Sequence, residues 1–186
     1  VTRHSLKLQG EALRLDDLWP LALAVAPRAA DRWLGLAPRG EIRRLTLELD
    51  RARAGAIPVF EVDADVANLG AAASGVWPGL EGLTATVKGS DERGRIELRS
   101  PSLDFEWPRM FAAAPGPIAV TGEVEWRREG HTWIAAAKKV SLEHAQGRAH
   151  GAFEFRYAGR RKSPELRVDG TVERADAALV RALLPY

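Results

Sequence analysis

The side chains that could perform chemistry in this sequence are few and scattered. Its four histidines are His4, His131, His144 and His150. A metal centre needs His, Asp or Glu converging at ligand spacing, and on a helix two His would stand four apart as in an HExxH arrangement. His131 and His144 instead fall in polar turns, His150 lies on the outward side of an alternating run, and no pair has the helical spacing. Asp63 and Asp65 share one face of a run with period two and could hold a cation, but two acids on the wet side of a strand are ordinary surface. Ser74 precedes Gly75 without a Gly-x-Ser-x-Gly elbow to expose it as a nucleophile, and no P-loop pattern occurs. The six tryptophans, Trp19, Trp33, Trp77, Trp107, Trp126 and Trp133, could stack on sugar rings. Several of them stand at the ends of runs beside proline, where an indole more often closes a core. The expectation is therefore no enzyme, no cofactor and no metal.

Composition narrows the class further. The chain has 186 residues, 46% apolar and 28% charged, as expected of one folded domain or one piece of a larger repetitive one. There is no cysteine, so neither a disulfide framework nor a thiolate metal site can form. The formal charge of +2 comes from arginines spread over hairpins and outward strand positions. Nucleic-acid binders concentrate such charge in one patch, so no nucleic acid is expected. The most apolar stretch, Leu18 to Ala26, is far shorter than the roughly 20 residues of a spanning helix. The chain lacks an initiator Met and opens inside a strand-like run, which predicts a segment of a longer protein with any export signal or anchor outside it.

The elements that would position these residues are strands. From Pro117 to Tyr157, Ile118, Val120, Gly122, Val124 and Trp126 alternate with polar neighbours. The chain turns at Arg127–His131, returns through Trp133–Leu142, turns at Glu143–Gly147, and runs out with Ala149, Gly151, Phe153, Phe155 and Tyr157 on one face. Period two is the strand signature, apolar on one side and charged on the other. The same pattern recurs at Arg3–Leu8, at Glu41–Leu49 with a bulge at Arg43-Arg44, at Phe60–Val66, Leu83–Val87, Ile96–Leu98, Leu103–Trp107 and Leu166–Val172. Ser90–Gly94 reads as a hairpin loop, and Pro38, Pro78 and Pro115 punctuate the chain before strands. Short helices are expected at Leu18–Ala26, Ala29–Leu36, Asn68–Trp77 and Arg174–Leu184. This gives one unit over residues 1–186: a helical insert at 11–38, an antiparallel β meander at 39–173 and a terminal helix at 174–186.

The fold class expected is thus mostly β: a curled, highly twisted antiparallel sheet of about ten strands with a few short helices. Its apolar face must leave water, because burial is worth roughly 25 cal/mol per Å2. It can close on itself as a sandwich, be covered by helices, or be filled by a ligand. Generic aliphatic side chains with no recurrent polar partner suit acyl chains, while a closed β-sandwich used for binding or scaffolding is the alternative. The residues expected to point into one groove or core are Phe60, Val62, Val87, Ile96, Leu98, Phe105, Val120, Val124, Trp126, Phe153, Phe155, Leu166 and Val168. A charged pair, Val124→Asp with Phe153→Glu, is expected to impair transport more than folding. Unpaired edge strands are expected to allow self-association.

Several stretches together resemble the YhdP-type members of the AsmA-like envelope proteins. They are Trp33–Ile42 (WLGLAPRGEI), Val66–Gly70 (VANLG), Trp77–Leu83 (WPGLEGL), Gly122–Arg127 (GEVEWR), Gly147–Gly151 (GRAHG) and the Leu-Leu-Pro at 183–185. The resemblance covers nearly the whole chain through structural motifs and brings no catalytic signature. It implies a periplasmic protein tethered to the inner membrane of a Gram-negative bacterium, similar to chorein-type bridge-like lipid transfer proteins. It further implies an open, taco-like hydrophobic groove that moves phospholipid between inner and outer membranes. The partners implied are phospholipid acyl chains, with both membranes reached by parts outside this segment.

Overall fold

The computed structural model describes residues 4–17, 34–51, 59–74, 78–108, 116–158 and 165–176. They form nine strands: β1 (His4–Arg14), β2 (Arg39–Arg51), β3 (Val59–Ala71), β4 (Gly79–Ser90), β5 (Arg93–Glu106), β6 (Ile118–Glu129), β7 (Thr132–His144), β8 (Gly147–Tyr157) and β9 (Glu165–Ala175). All belong to one sheet in sequence order, every neighbouring pair antiparallel, with β1 and β9 at opposite edges. It is a single curled, open sheet, neither a closed barrel nor two sheets of a sandwich.

The strands are longer than period two alone marks. The first runs to Arg14, taking Glu11–Arg14 out of the stretch expected to be helical. Asn68–Ala71 was expected to open a short helix; it lies in β3 instead, and Ser74 makes an isolated bridge. Its Ala and Gly residues favour a helix weakly, and pairing with β2 and β4 overrides that preference. Among the described residues helical structure is confined to the turns Leu15–Asp17 and Leu34–Leu36. Arg174 and Ala175 belong to β9 rather than a terminal helix. The helices expected at Leu18–Ala26, over most of Ala29–Leu36 and beyond Asp176 lie outside the described residues, as do Trp19, Trp33 and Trp77.

A line of bulges keeps the sheet one-sided. Apolar residues in β3 occupy even positions from Phe60 to Val66 and odd ones from Leu69 to Ala71. Taken alone, that change of phase would turn the second half of the strand over. The register shifts there, Val66 pairing with Ala85 and Leu69 with Leu83, so one extra residue restores the face. Asn68 takes up the irregularity at φ 51°, and its N–H is received by Thr84 Oγ1 at 3.2 Å. The shift between Ile42 and Arg44 in β2 falls where the Arg43-Arg44 bulge was expected. Similar shifts stand between Ser100 and Leu103 in β5 and between Ala137 and Val140 in β7. Next to the β4 irregularity, buried Ser100 receives the Thr84 N–H at 2.9 Å and donates to the Thr84 carbonyl at 3.3 Å. One hydroxyl thereby satisfies the backbone groups that the interrupted ladder leaves.

Candidate functional site

Directly opposed residues of an antiparallel pair share a face, so the register places side chains without further assumption. One row crosses all nine strands: Leu8, Leu47, Val62, Gly89, Gly94, Trp126, Ala135, Phe155 and Leu166. A parallel row runs through Leu13, Ile42, Val66, Ala85, Leu98, Gly122, Val140, Gly151 and Gly170. Between them lie Leu45, Ala64, Val87, Ile96 and Val124, continued beyond the β7 bulge by Ala137, Phe153 and Val168. Phe60 extends the face opposite Leu49, Phe105 opposite Leu80, and Val120 opposite Ser100 and Leu142. All the groove candidates named from the sequence therefore stand on one face.

They do not stand in one environment. Val120 and Val124 in the middle of the sheet are buried, with Ala64, Val66, Ala85 and Ala137. A cluster of Ala64, Val66 and Ala85 packs against Ile42, Leu45, Val62, Leu69, Ile96 and Leu98. Toward the edges the same face opens: Leu6 is 56% exposed, Leu8 45%, Leu166 51%, Val168 70% and Val172 63%. Phe60, Val87, Phe105, Phe153 and Phe155 are intermediate.

Trp126 has a specific seat. Its indole lies across the Gly89–Gly94 pair, where a Cβ built on Gly94 would come within 2.1 Å of the ring. Its Nε1–H donates to the Ser90 carbonyl at 2.9 Å. An aromatic ring here covers two glycines, so Trp126 is a packing residue of the face rather than an open lining. The hairpin tip beside it holds a group that sequence reading left in solvent. Asp91 is 3% exposed and its carboxylate meets Arg128 Nη2 at 2.9 Å. That guanidinium stands 5.9 Å from the Trp133 ring centre, within cation–π reach. The Asp91 N–H donates to the Phe60 carbonyl and the Arg128 N–H to the Glu92 carbonyl, tying the tip to β3 and β6. The only sequence signal for this was an acid and a base at two hairpin tips that become neighbours on pairing.

The opposite face is charged. Asp63 sits between Arg44 and Lys88, each 3.3 Å away, so its charge is already matched. Lys7 pairs with Glu48, Arg95 with Glu123, and Arg156 with Glu154. The hydrogen bond from Arg156 holds the Glu154 carboxyl below the usual carboxylate range, and that from Lys7 to Glu48 raises the Lys7 ammonium above its ordinary value. An open concavity of about 610 Å3 lies between β6 and β9, lined by residues of both faces, Ala137, Phe153 and Val168 among them. Its lining balances Glu123, Glu125, Glu154 and Asp169 against Arg127, Lys138, Lys139 and Arg167, so no single-sign field is available to hold an ion. Ile134 shares the charged face yet is only 1% exposed; its cross-strand neighbours are Arg127 and Arg156.

The histidines do not converge. His131 is exposed in its turn, His144 Nδ1 receives the Gln146 N–H at 3.1 Å, and His150 Nδ1 lies 3.3 Å from Glu173. Among the described residues no three His, Asp or Glu gather as metal ligands, and no helix is long and apolar enough to cross a membrane.

The family model described as YhdP protein matches residues 2–186. No curated protein and no solved structure matches the chain. With a one-sided antiparallel sheet across the described residues and a match that spans the chain, this protein belongs to the YhdP family and is AsmA-like.

Proposed function

We propose that the chain is a periplasmic segment of a protein anchored in the inner membrane, and that its apolar face carries phospholipid acyl chains between the inner and outer membranes. In that role it supports outer-membrane lipid homeostasis and the permeability barrier, without catalysis or a cofactor. The observation that carries the reading is the unbroken apolar row from Leu8 to Leu166 across an open nine-stranded sheet.

The magnitudes agree. Strands about 4.8 Å apart make nine of them span roughly 40 Å. Exposing a sixteen-carbon chain to water costs on the order of 13 kcal/mol at about 0.8 per CH2. A continuous apolar floor removes much of that cost, and with few polar atoms it holds no headgroup, so a tail can slide along it. Such a floor sets no direction of travel.

The test is lipid recovery. Native mass spectrometry and solvent extraction of the purified chain are expected to yield phospholipid. The double variant Val168→Asp/Val172→Asp, at exposed positions of β9, is expected to lower that yield while leaving the melting temperature nearly unchanged. Recovery of no lipid from the parent, or equal recovery from the variant, overturns the reading.

A further inference from the structure

Near its end the ladder between β8 and β9 changes register. Ala149 stands opposite Val172, but Arg148 stands opposite Arg174, so Glu173 is an extra residue on β9. An unbroken ladder would set Glu173 directly across from Arg148, a partner that is always charged. The bulge keeps Arg174 on the charged side, but it opposes two guanidinium groups, which is destabilising. Glu173 is turned instead toward His150, its Oε1 lying 3.3 Å from the imidazole Nδ1. Arg148 is held from β7 by Glu143 at 3.2 Å. Just past the bulge, the Asp176 N–H donates to the Gln146 carbonyl at 3.0 Å. The strand has thus given up a permanent ion pair for one that exists only while an imidazole carries a proton.

We propose that His150 is a proton-dependent clasp on the end of β9. With its proton it holds Glu173, and through it the bulged register of residues 173–176; without the proton it lets them go. The charged groups around it come from three strands. On β9, Thr171 stands directly across, with Asp169 and Glu173 on the diagonals. On β7, Ser141 stands directly across, with Glu143 on the diagonal and engaged by Arg148 of β8. Lys138 and Lys139 line the same hollow as His150 and Asp169. Lysines and carboxylates ordinarily titrate outside the range from about pH 5 to about pH 8, and imidazoles within it. A second imidazole, His144, works in the opposite sense. Its Nδ1 accepts the Gln146 N–H at 3.1 Å, so a proton there displaces that bond and loosens the same corner. The sign of the response therefore separates the two histidines. Strand β9 carries the exposed Leu166, Val168 and Val172, so the clasp grades how firmly that part of the apolar face is held, whether or not the face carries lipid.

Hydrogen exchange on the full chain reads this directly at the amides of residues 173–176, with those of β4 as internal reference and the intrinsic effect of pH removed. Protection in the parent is expected to be about threefold greater at about pH 5 than at about pH 8, as suits a solvated ion pair. His150→Gln and Glu173→Gln are each expected to abolish that difference and leave protection at the lower level. His150→Lys supplies a cation at both pH values and is expected to hold the higher level at both. Circular dichroism establishes that each variant is folded. A parent equally protected at the two pH values, or less protected in acid, overturns the proposal. So does a pH difference that survives His150→Gln, or a His150→Lys chain no better protected at about pH 8 than the parent.

Discussion

Strands β4 to β6 and strand β9 carry the same binary pattern and meet opposite fates. In the middle, Ala85, Val120 and Val124 are 3%, 5% and 9% exposed; at the edge, Leu166, Val168 and Val172 are 51%, 70% and 63% exposed. The side-chain chemistry hardly differs. What differs is pairing: β4 to β6 each have a strand on both flanks, whereas β9 is paired with β8. Alternation therefore decides which way a residue points, and position in the sheet decides whether pointing there means burial. This bears on function, because only the part of an apolar face that its own sheet leaves uncovered can hold something else.

The sharpest way to break the contrast is to place one charge in both regions. Val124→Asp is expected to cost about 3–4 kcal/mol or more, enough to abolish cooperative folding at moderate temperature, because the carboxylate has no partner beneath the sheet. Val168→Asp is expected to stay within about 0.5 kcal/mol, the range of surface changes. Chemical denaturation of the two variants measures both, and equal losses would show that the edge is as covered as the middle. The pair Val124→Asp with Phe153→Glu, attractive from the sequence as a transport variant, is thus expected to unfold the chain first. Exposed β9 positions separate binding from folding, which is why they carry the lipid test.

The next effect concerns how the central region is closed. Trp126→Ala removes the ring over Gly89 and Gly94 and its hydrogen bond to Ser90. A loss of about 2–4 kcal/mol is expected by analogy with other large-to-small core changes. Trp126→Phe keeps most of the cover and loses the donor, and is expected to recover more than half of the difference. If both variants unfold like the parent, the indole is ornament and the glycine pair stands unaided.

The smallest effect lies on the charged face. Arg156 holds the Glu154 carboxyl below its ordinary value in the folded chain. A depressed carboxylate contributes stability above its unfolded pKa, and that contribution fades as pH falls through the lower, folded value. Glu154→Gln is therefore expected to melt slightly below the parent at about pH 7 and level with it at about pH 3. Both partners are solvated, so the gap at neutral pH is small, as for surface pairs generally. A gap that widens in acid would reverse the assignment.

How far the sequence reached can be followed residue by residue. The strands, their order as a meander and the shared face of the groove candidates were legible, because period two is local and hairpin turns join neighbours. The Arg43-Arg44 irregularity was legible too, since it interrupts the leucine alternation. Asn68–Ala71 was misread as helix because small residues carry weak preferences and a bulge mimics the end of a strand. Asp91 passed as a solvated turn residue, its burial resting on Arg128, 37 positions further along the chain.

Alone, then, the sequence determined that this protein is a ribbon of antiparallel strands with one greasy and one charged side, since alternation is written within each strand. Tertiary structure decided where bulges restore the phase, which aliphatics are sealed and which stay open, and that an acid at the β4–β5 hairpin tip is buried against an arginine of the neighbouring strand β6. Those outcomes depend on which chains lie beside and over a residue, and no local pattern encodes that.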